Sequence, residues 1–182
     1  AKYGLLGDEH FFCWLEDNAA ALIDGDVELR IEAVKRSCQI KAKIVENDER
    51  EQGERALLNL GHTFCHALEG VTNFSDALLH GEGVSIGCSL AFDVSAKLGL
   101  CSQEAPSRVR EHFKSINVAT DISQINGFVG SADQIYDLMA QDKKVVKGVI
   151  RFILASDIGK AVVQENVSKS LILEVLQDSL ER

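Results

Sequence analysis

The chain has 182 residues, with 19 Lys plus Arg against 28 Asp plus Glu, so its formal net charge is −9. That acidity opposes generic binding to nucleic acid or to an anionic membrane surface, both of which require positive charge on the protein. Hydrophobic residues make up 46% and charged residues 26%, which excludes intrinsic disorder and allows one domain with a sizeable core, two small domains being the outer limit.

No apolar run approaches the ~20 residues a membrane helix needs, and no basic segment followed by an apolar core opens the chain, so a cytoplasmic protein is expected. The five cysteines (Cys13, Cys38, Cys65, Cys88 and Cys101) are odd in number, widely spaced and without a C-x-x-C pair. They read as buried reduced thiols and not as a disulfide framework or a thiolate zinc site. The opening Ala-Lys-Tyr-Gly lacks an initiator Met and reads as the start of a fragment.

One proline, Pro106, few aromatics and many Ala, Leu, Glu and Lys residues predict a mainly α fold. The first helix is expected from about Asp8 to Ile23, where Phe11, Leu15, Ala19 and Leu22 recur at helical spacing before Gly25 breaks the segment. Asp26 is placed to cap a second helix whose stripe Val27, Ile31, Val34, Cys38 and Val45 reads as core. Lys41 falls on that stripe, as a snorkelling lysine or as a functional cation. After a charged turn over Glu46–Arg50, a third helix is expected from Arg55 to Gly70. It has an apolar face of Leu57, Leu58, Phe64, Ala67 and Leu68, and a polar stripe of Arg55, Asn59, His62, His66 and Glu69.

A fourth helix is predicted over His80–Leu98, and its Gly81, Gly83 and Gly87 are expected to permit close approach of a ligand or another helix. Helices over Ser107–Ile116 and Ser131–Ala140 follow, joined by a loop around Ile125–Gly130. Val149–Leu154 and Ala161–Val163, separated by Ser156, Asp157 and Gly159, predict a small β-hairpin. The tail from Ser168 to Leu180 returns to helix, and one mostly helical domain over 1–182 is expected.

Chemistry concentrates on histidines. His62 and His66 stand four residues apart, so on a helix both imidazoles reach one side and are able to share a metal ion; they would serve equally well as surface or hydrogen-bonded core histidines. His80, at the start of the next helix, adds a third imidazole and favours a borderline cation such as zinc. The protein ligand set looks incomplete, with Glu69 and Glu82 as candidates beside a residue outside the chain. Arg55, Lys41, Lys143 and Lys144 suit a phosphate or carboxylate, although the lysine pair taken alone reads as a solvated face.

Several ordered stretches then point to a family. They are Lys2-Tyr3-Gly4; Lys41-Ala42-Lys43-Ile44-Val45 leading into Asp48-Glu49-Arg50-Glu51; Arg55-Ala56-Leu57-Leu58-Asn59-Leu60-Gly61-His62-Thr63-Phe64; and His66-Ala67-Leu68-Glu69. Leu79-His80-Gly81-Glu82, Ile86-Gly87, Asp142-Lys143-Lys144-Val145, Arg151-Phe152 and Ile158-Gly159 continue the series. This pattern resembles 3-dehydroquinate synthase, and specifically the mainly helical C-terminal domain of that family.

The resemblance implies an NAD-dependent lyase of the shikimate pathway of aromatic amino acid biosynthesis. It converts 3-deoxy-D-arabino-heptulosonate 7-phosphate to 3-dehydroquinate and phosphate by oxidation, β-elimination, reduction and aldol closure. It implies His62 and His80 as ligands of zinc or cobalt, completed by a glutamate upstream of Lys2, in place of a His62–His66 pair. It implies His66, Arg55 and Lys41 as catalytic groups, with Lys2, Lys41, Arg55, Asn59, His66 and one or both of Lys143 and Lys144 on substrate, and Glu51 supporting the charged network. NAD would be bound by an N-terminal Rossmann-like domain that this chain does not include, so the isolated chain is expected to be inactive.

Cys65 departs from the family, where glycine is more usual, and is not expected to be a nucleophile. Another sugar-phosphate cyclase, a metal-dependent polyol dehydrogenase of the same superfamily, and a noncatalytic helical binding module are the alternatives. The expected partners are a phosphorylated sugar acid and the N-terminal domain, without nucleic acid or membrane; a homo-oligomer stays open.

Overall fold

A computed structural model describes residues 1–48, 53–141 and 150–182. Helix α1 (Lys2–Gly7) ends at Asp8, whose backbone is extended and whose carboxylate accepts a hydrogen bond from the Phe11 N–H at 2.9 Å, opening α2 (Glu9–Asp24). Gly25 closes α2 in the left-handed region at φ 103°, and Asp26 caps α3 (Val27–Asn47) by accepting from the Leu29 N–H at 3.0 Å. A 3-10 helix (Glu54–Asn59) leads to α4 (His62–Val71), α5 (His80–Lys97) and α6 (Ala105–Ser115). A short 3-10 turn (Ile122–Gln124), α7 (Ala132–Gln141), strands β1 (Phe152–Asp157) and β2 (Lys160–Gln164), and α8 (Lys169–Glu181) complete the order. The mainly helical expectation with a small hairpin holds; Val149 lies outside the described residues. Among the described residues no helix is long and apolar enough to cross a membrane.

The core is built around α5, which is buried from Ser85 to Ala96 and packs on α4, α6, α8 and β1. Phe12, Phe64, Phe92, Phe152, Leu68 and Leu90 are among its fully buried side chains, each stabilising the fold by about 1.5–3 kcal/mol. A buried ion network braces this centre. Arg110 of α6 donates to Asp93 of α5 at 2.7 and 2.5 Å, and Arg182 donates to Asp121 at 2.8 Å and to Asp93 at 3.1 Å.

Two sequence expectations are corrected. The continuous helix from Arg55 to Gly70 is instead a 3-10 helix, a turn and α4, because Gly61 takes φ 80° to let the chain cross α5. A Cβ on Gly61 would stand 2.7 Å from the Cys88 nitrogen, and one on Gly87 would overlap the Gly61 carbonyl oxygen. A Cβ on Gly83 would likewise stand 2.8 Å from Cys65 Sγ, whereas one on Gly81 would meet nothing within 4 Å among the described residues.

The second correction concerns α3. Val27, Ile31 and Val34 are 65%, 56% and 63% exposed, and no α3 residue is fully buried. The inward residues are Ile40 and Ile44, so Lys41 stands on an exposed face and not among core residues.

The hairpin has an antiparallel register of Phe152 with Gln164 and Ala155 with Ala161, with a bulge between Ala155 and Asp157. Ala155 N–H bonds Ser95 Oγ of α5 at 2.9 Å, and the Gly159 N–H bonds the Leu5 carbonyl of α1 at 2.9 Å. The hairpin therefore fixes α1, and with it Lys2, against the centre of the fold.

Candidate metal and substrate site

The Gly61–Gly87 contact brings the first turn of α4 beside the start of α5. One helical turn places His62 and His66 edge to face, with ring centroids 5.6 Å apart, and the His80 ring also lies 5.6 Å from that of His62. Hydrogen-bond partners set the tautomers. Glu69 Oε1 lies 2.8 Å from His80 Nδ1, and a carboxylate only accepts, so Nδ1 carries a proton and donates it. The Leu60 carbonyl, 3.2 Å from His62 Nδ1, likewise accepts from a protonated Nδ1. With Nδ1 donating in both rings, Nε2 is the nitrogen that each imidazole would offer to a borderline divalent cation of the zinc type.

The cations approach from two other elements. Half-buried Lys2 donates to the Leu58 carbonyl at 3.0 Å, tying α1 to the 3-10 helix. Asp48 Oδ2 accepts from the N–H groups of Gly53 at 2.7 Å and Arg55 at 3.0 Å, so one carboxylate fixes the entry of the 3-10 helix that carries Arg55 and Asn59. Both of those residues are half-buried. Lys41 is exposed on α3, which packs against the same 3-10 helix. Glu51, Lys143 and Lys144 lie outside the described residues. A cavity of about 440 Å³ opens beside His66, lined by Thr63, Ala67, Gly70, Phe74, Leu138 and Met139. Another, of about 370 Å³, lies between α1, α3 and the 3-10 helix, and none of the histidines lines it.

Cys65 is buried, with Sγ 3.7 Å from His80 Nδ1. Burial pushes its thiol pKa up to about 12, with the Glu69 charge adding to the rise and the Lys2 ammonium opposing it. A thiol held protonated in this way is a poor nucleophile. Neither candidate carboxylate reads as a simple third ligand. Glu69 is the hydrogen-bond partner of His80, and Glu82 accepts from the Leu79 N–H at 3.1 Å at the start of α5.

Sequence reasoning did not find the Asp48 bridge, nor the hairpin that seats α1. The spacing Asp48–Gly53 hinted at the first, as an acceptor followed by a flexible donor; nothing local pointed to the Gly159–Leu5 bond, which joins residues distant in the chain.

The family profile described as 3-dehydroquinate synthase C-terminal matches residues 1–145. A 3-dehydroquinate synthase of Ruegeria sp. (strain TM1040) is 64% identical over 179 residues, 98% of this chain and 48% of the relative. One from Ruegeria pomeroyi is 62% identical over the same shares of the two chains. The chain thus spans about half the length of the curated relatives it matches. Among solved structures, 2-epi-5-epi-valiolone synthase from Streptomyces hygroscopicus subsp. jinggangensis 5008, with NAD+ and Zn2+ bound, superposes with a TM-score of 0.85 at 23% identity. That match covers 99% of this chain and 49% of the other, and shows a shared fold.

Proposed function

The chain belongs to the 3-dehydroquinate synthase family, matching its C-terminal domain over residues 1–145, and from this we propose that it is the metal- and substrate-holding part of a 3-dehydroquinate synthase. The reaction is conversion of 3-deoxy-D-arabino-heptulosonate 7-phosphate to 3-dehydroquinate and phosphate. The observation that carries the reading is the convergence of His62, His66 and His80, with His62 and His80 both donating from Nδ1 to protein oxygens.

His62 and His80 would hold the divalent ion through Nε2, with a carboxylate from outside this chain completing the set. An ion held there would supply Lewis-acid polarisation of the reacting hydroxyl, and NAD, which an N-terminal domain would hold, would supply reversible hydride acceptance. Arg55, Lys41 and Lys2, with Lys143 or Lys144, bind the substrate's carboxylate and phosphate, and Glu51 balances their charge. Fixing both anionic ends sets the geometry of the reacting carbons, so elimination and ring closure proceed within one orientation. The departing phosphate serves as the base for its own elimination. His66, one turn from His62 and beside the cavity, moves a proton at its imidazole, and Asn59 orients the substrate by hydrogen bonds.

The test is phosphate release from 3-deoxy-D-arabino-heptulosonate 7-phosphate by the enzyme that carries this chain as its C-terminal half, with NAD and Zn2+ supplied. Release is expected, and the 182 residues alone are expected to give none. An intact enzyme that binds both cofactors yet releases no phosphate would overturn the reading.

A further inference from the structure

On the Nδ1 side of His80 the fold gathers a second set of donors. A ligand atom from each of Cys65, Glu69 and His80 lies within 4.8 Å of the other two. From this convergence we infer that Cys65 Sγ, Glu69 Oε1 and His80 Nδ1 form a second, thiolate-containing site, sharing His80 with the two-imidazole set, for a soft or borderline divalent ion such as Cd2+ or Zn2+.

The spacing suits such an ion. Bond lengths of roughly 2.0 Å to nitrogen or oxygen and 2.3 Å to sulfur, at tetrahedral angles, give donor separations of about 3.3 Å for N–O and 3.5 Å for S–N. The Sγ–Nδ1 separation is already 3.7 Å, and the Glu69 carboxylate, now 2.8 Å from Nδ1, needs to retreat by only ~0.5 Å. Cys65 and Glu69 come from α4 and His80 from α5, so the helix crossing that Gly83 permits also sets this triangle. The His80 side chain is 60% exposed, which gives an ion a path from solvent to an otherwise buried thiol.

Binding exchanges bonds without any redox step. The Cys65 S–H bond breaks, its proton leaves to water, and an Sγ–metal bond forms. Glu69 trades the N–H it accepts for a bond to the ion, and His80 gives its Nδ1 lone pair while its proton moves to Nε2. A neutral imidazole has one lone pair, so an ion on Nδ1 turns Nε2 into a donor and removes His80 from the His62 pair. That exclusion rests on the proposed role of Nε2 in the synthase; the thiolate site itself does not.

The experiment is a titration of Cd2+ or Co2+ into the full metal-stripped chain, followed by thiolate-to-metal charge-transfer absorption. A saturating band is expected. It should disappear in Cys65→Ala and in the volume-conserving Cys65→Ser, and persist in Cys38→Ser, which removes an exposed thiol. It should also persist in His62→Ala, which breaks the two-imidazole set, so the two readings fail separately. No band in the parent chain, or a band that survives both Cys65 variants, would overturn the inference.

Discussion

His80 Nδ1 lies 2.8 Å from Glu69 Oε1, joining the start of α5 to the C-terminal half of α4 and fixing the orientation of one imidazole of the three-histidine cluster. A carboxylate behind a ligating histidine raises its basicity and holds its ring orientation. Glu69→Gln keeps an acceptor but loses the charge. Zn2+ affinity of the metal-stripped protein, read by calorimetry, is expected to fall by about tenfold or more, with the far-UV circular dichroism unchanged. An unchanged affinity would show that Glu69 does not tune His80.

Apart from α1 over Lys2–Gly7, which was not anticipated, helix existence was legible because periodicity and capping are local. Asp26, Gly25 and Ser168 act at the ends where the sequence placed them. The histidine cluster was legible for a different reason, as His62 and His66 are neighbours on any helix and His80 opens the next one. The break at Gly61 was not, since it exists to pass Gly87, 26 residues later, and nothing in the 55–70 window records that contact. The carboxylate pairings of Glu69 and Glu82 were undecided for the same reason: each carboxylate was plausible as a metal ligand until its partner was placed.

Gly87→Ala tests the crossing of α4 and α5. The added methyl meets the Gly61 carbonyl oxygen, which is main chain and has no rotamer to yield. Overpacking of this kind costs about 1–3 kcal/mol or more, and here it also separates His62 from His80. The thermal midpoint is expected to drop by several degrees together with Zn2+ affinity, whereas Gly81→Ala, facing open space, should leave both in place.

The buried ion network predicts a large asymmetry between charge pairs. Burial raises the pKa of Asp121, but hydrogen bonds from Arg182 and Thr120 and the charge of Arg110 outweigh it and hold the carboxyl below the usual range. Its stabilisation is therefore present above pH ~4 and lost as pH falls through the lowered value. Arg110→Met leaves Asp93 and Asp121 with Arg182 as their one shared cation among the described residues, and about 3–5 kcal/mol of destabilisation is expected in urea titration. Lys97→Ala, which removes surface pairs to Glu174 and Asp178, should cost no more than about 1 kcal/mol.

His112 gives a second pH dependence of opposite chemistry. Its ring packs 5.0 Å from that of Phe12, its Nδ1 has no hydrogen-bond partner among the described residues, and burial lowers its pKa to about 4. The unfolded chain binds this proton near pH 6.5 and the folded chain does not, so stability falls as pH drops from about 6.5 towards 4, by about 3 kcal/mol in all. His112→Leu should flatten that part of the profile; an equally steep loss in the variant would assign it to other groups.

The exposed stripe on α3 separates helix formation from core packing. Val27, Ile31, Val34 and Cys38 keep the spacing of a buried face, yet Ile40 and Ile44, turned by about 100° per residue from it, make the inward contacts. Side chains already in water lose no burial when they become polar, so Ile31→Lys and Val34→Lys should each shift the stability of this chain by no more than about 0.5 kcal/mol in urea titration. Leu68→Ala, at a fully buried α4 position, should cost about 2–5 kcal/mol in the same assay. A stripe substitution as damaging as Leu68→Ala would mean that α3 turns this face inward in solution.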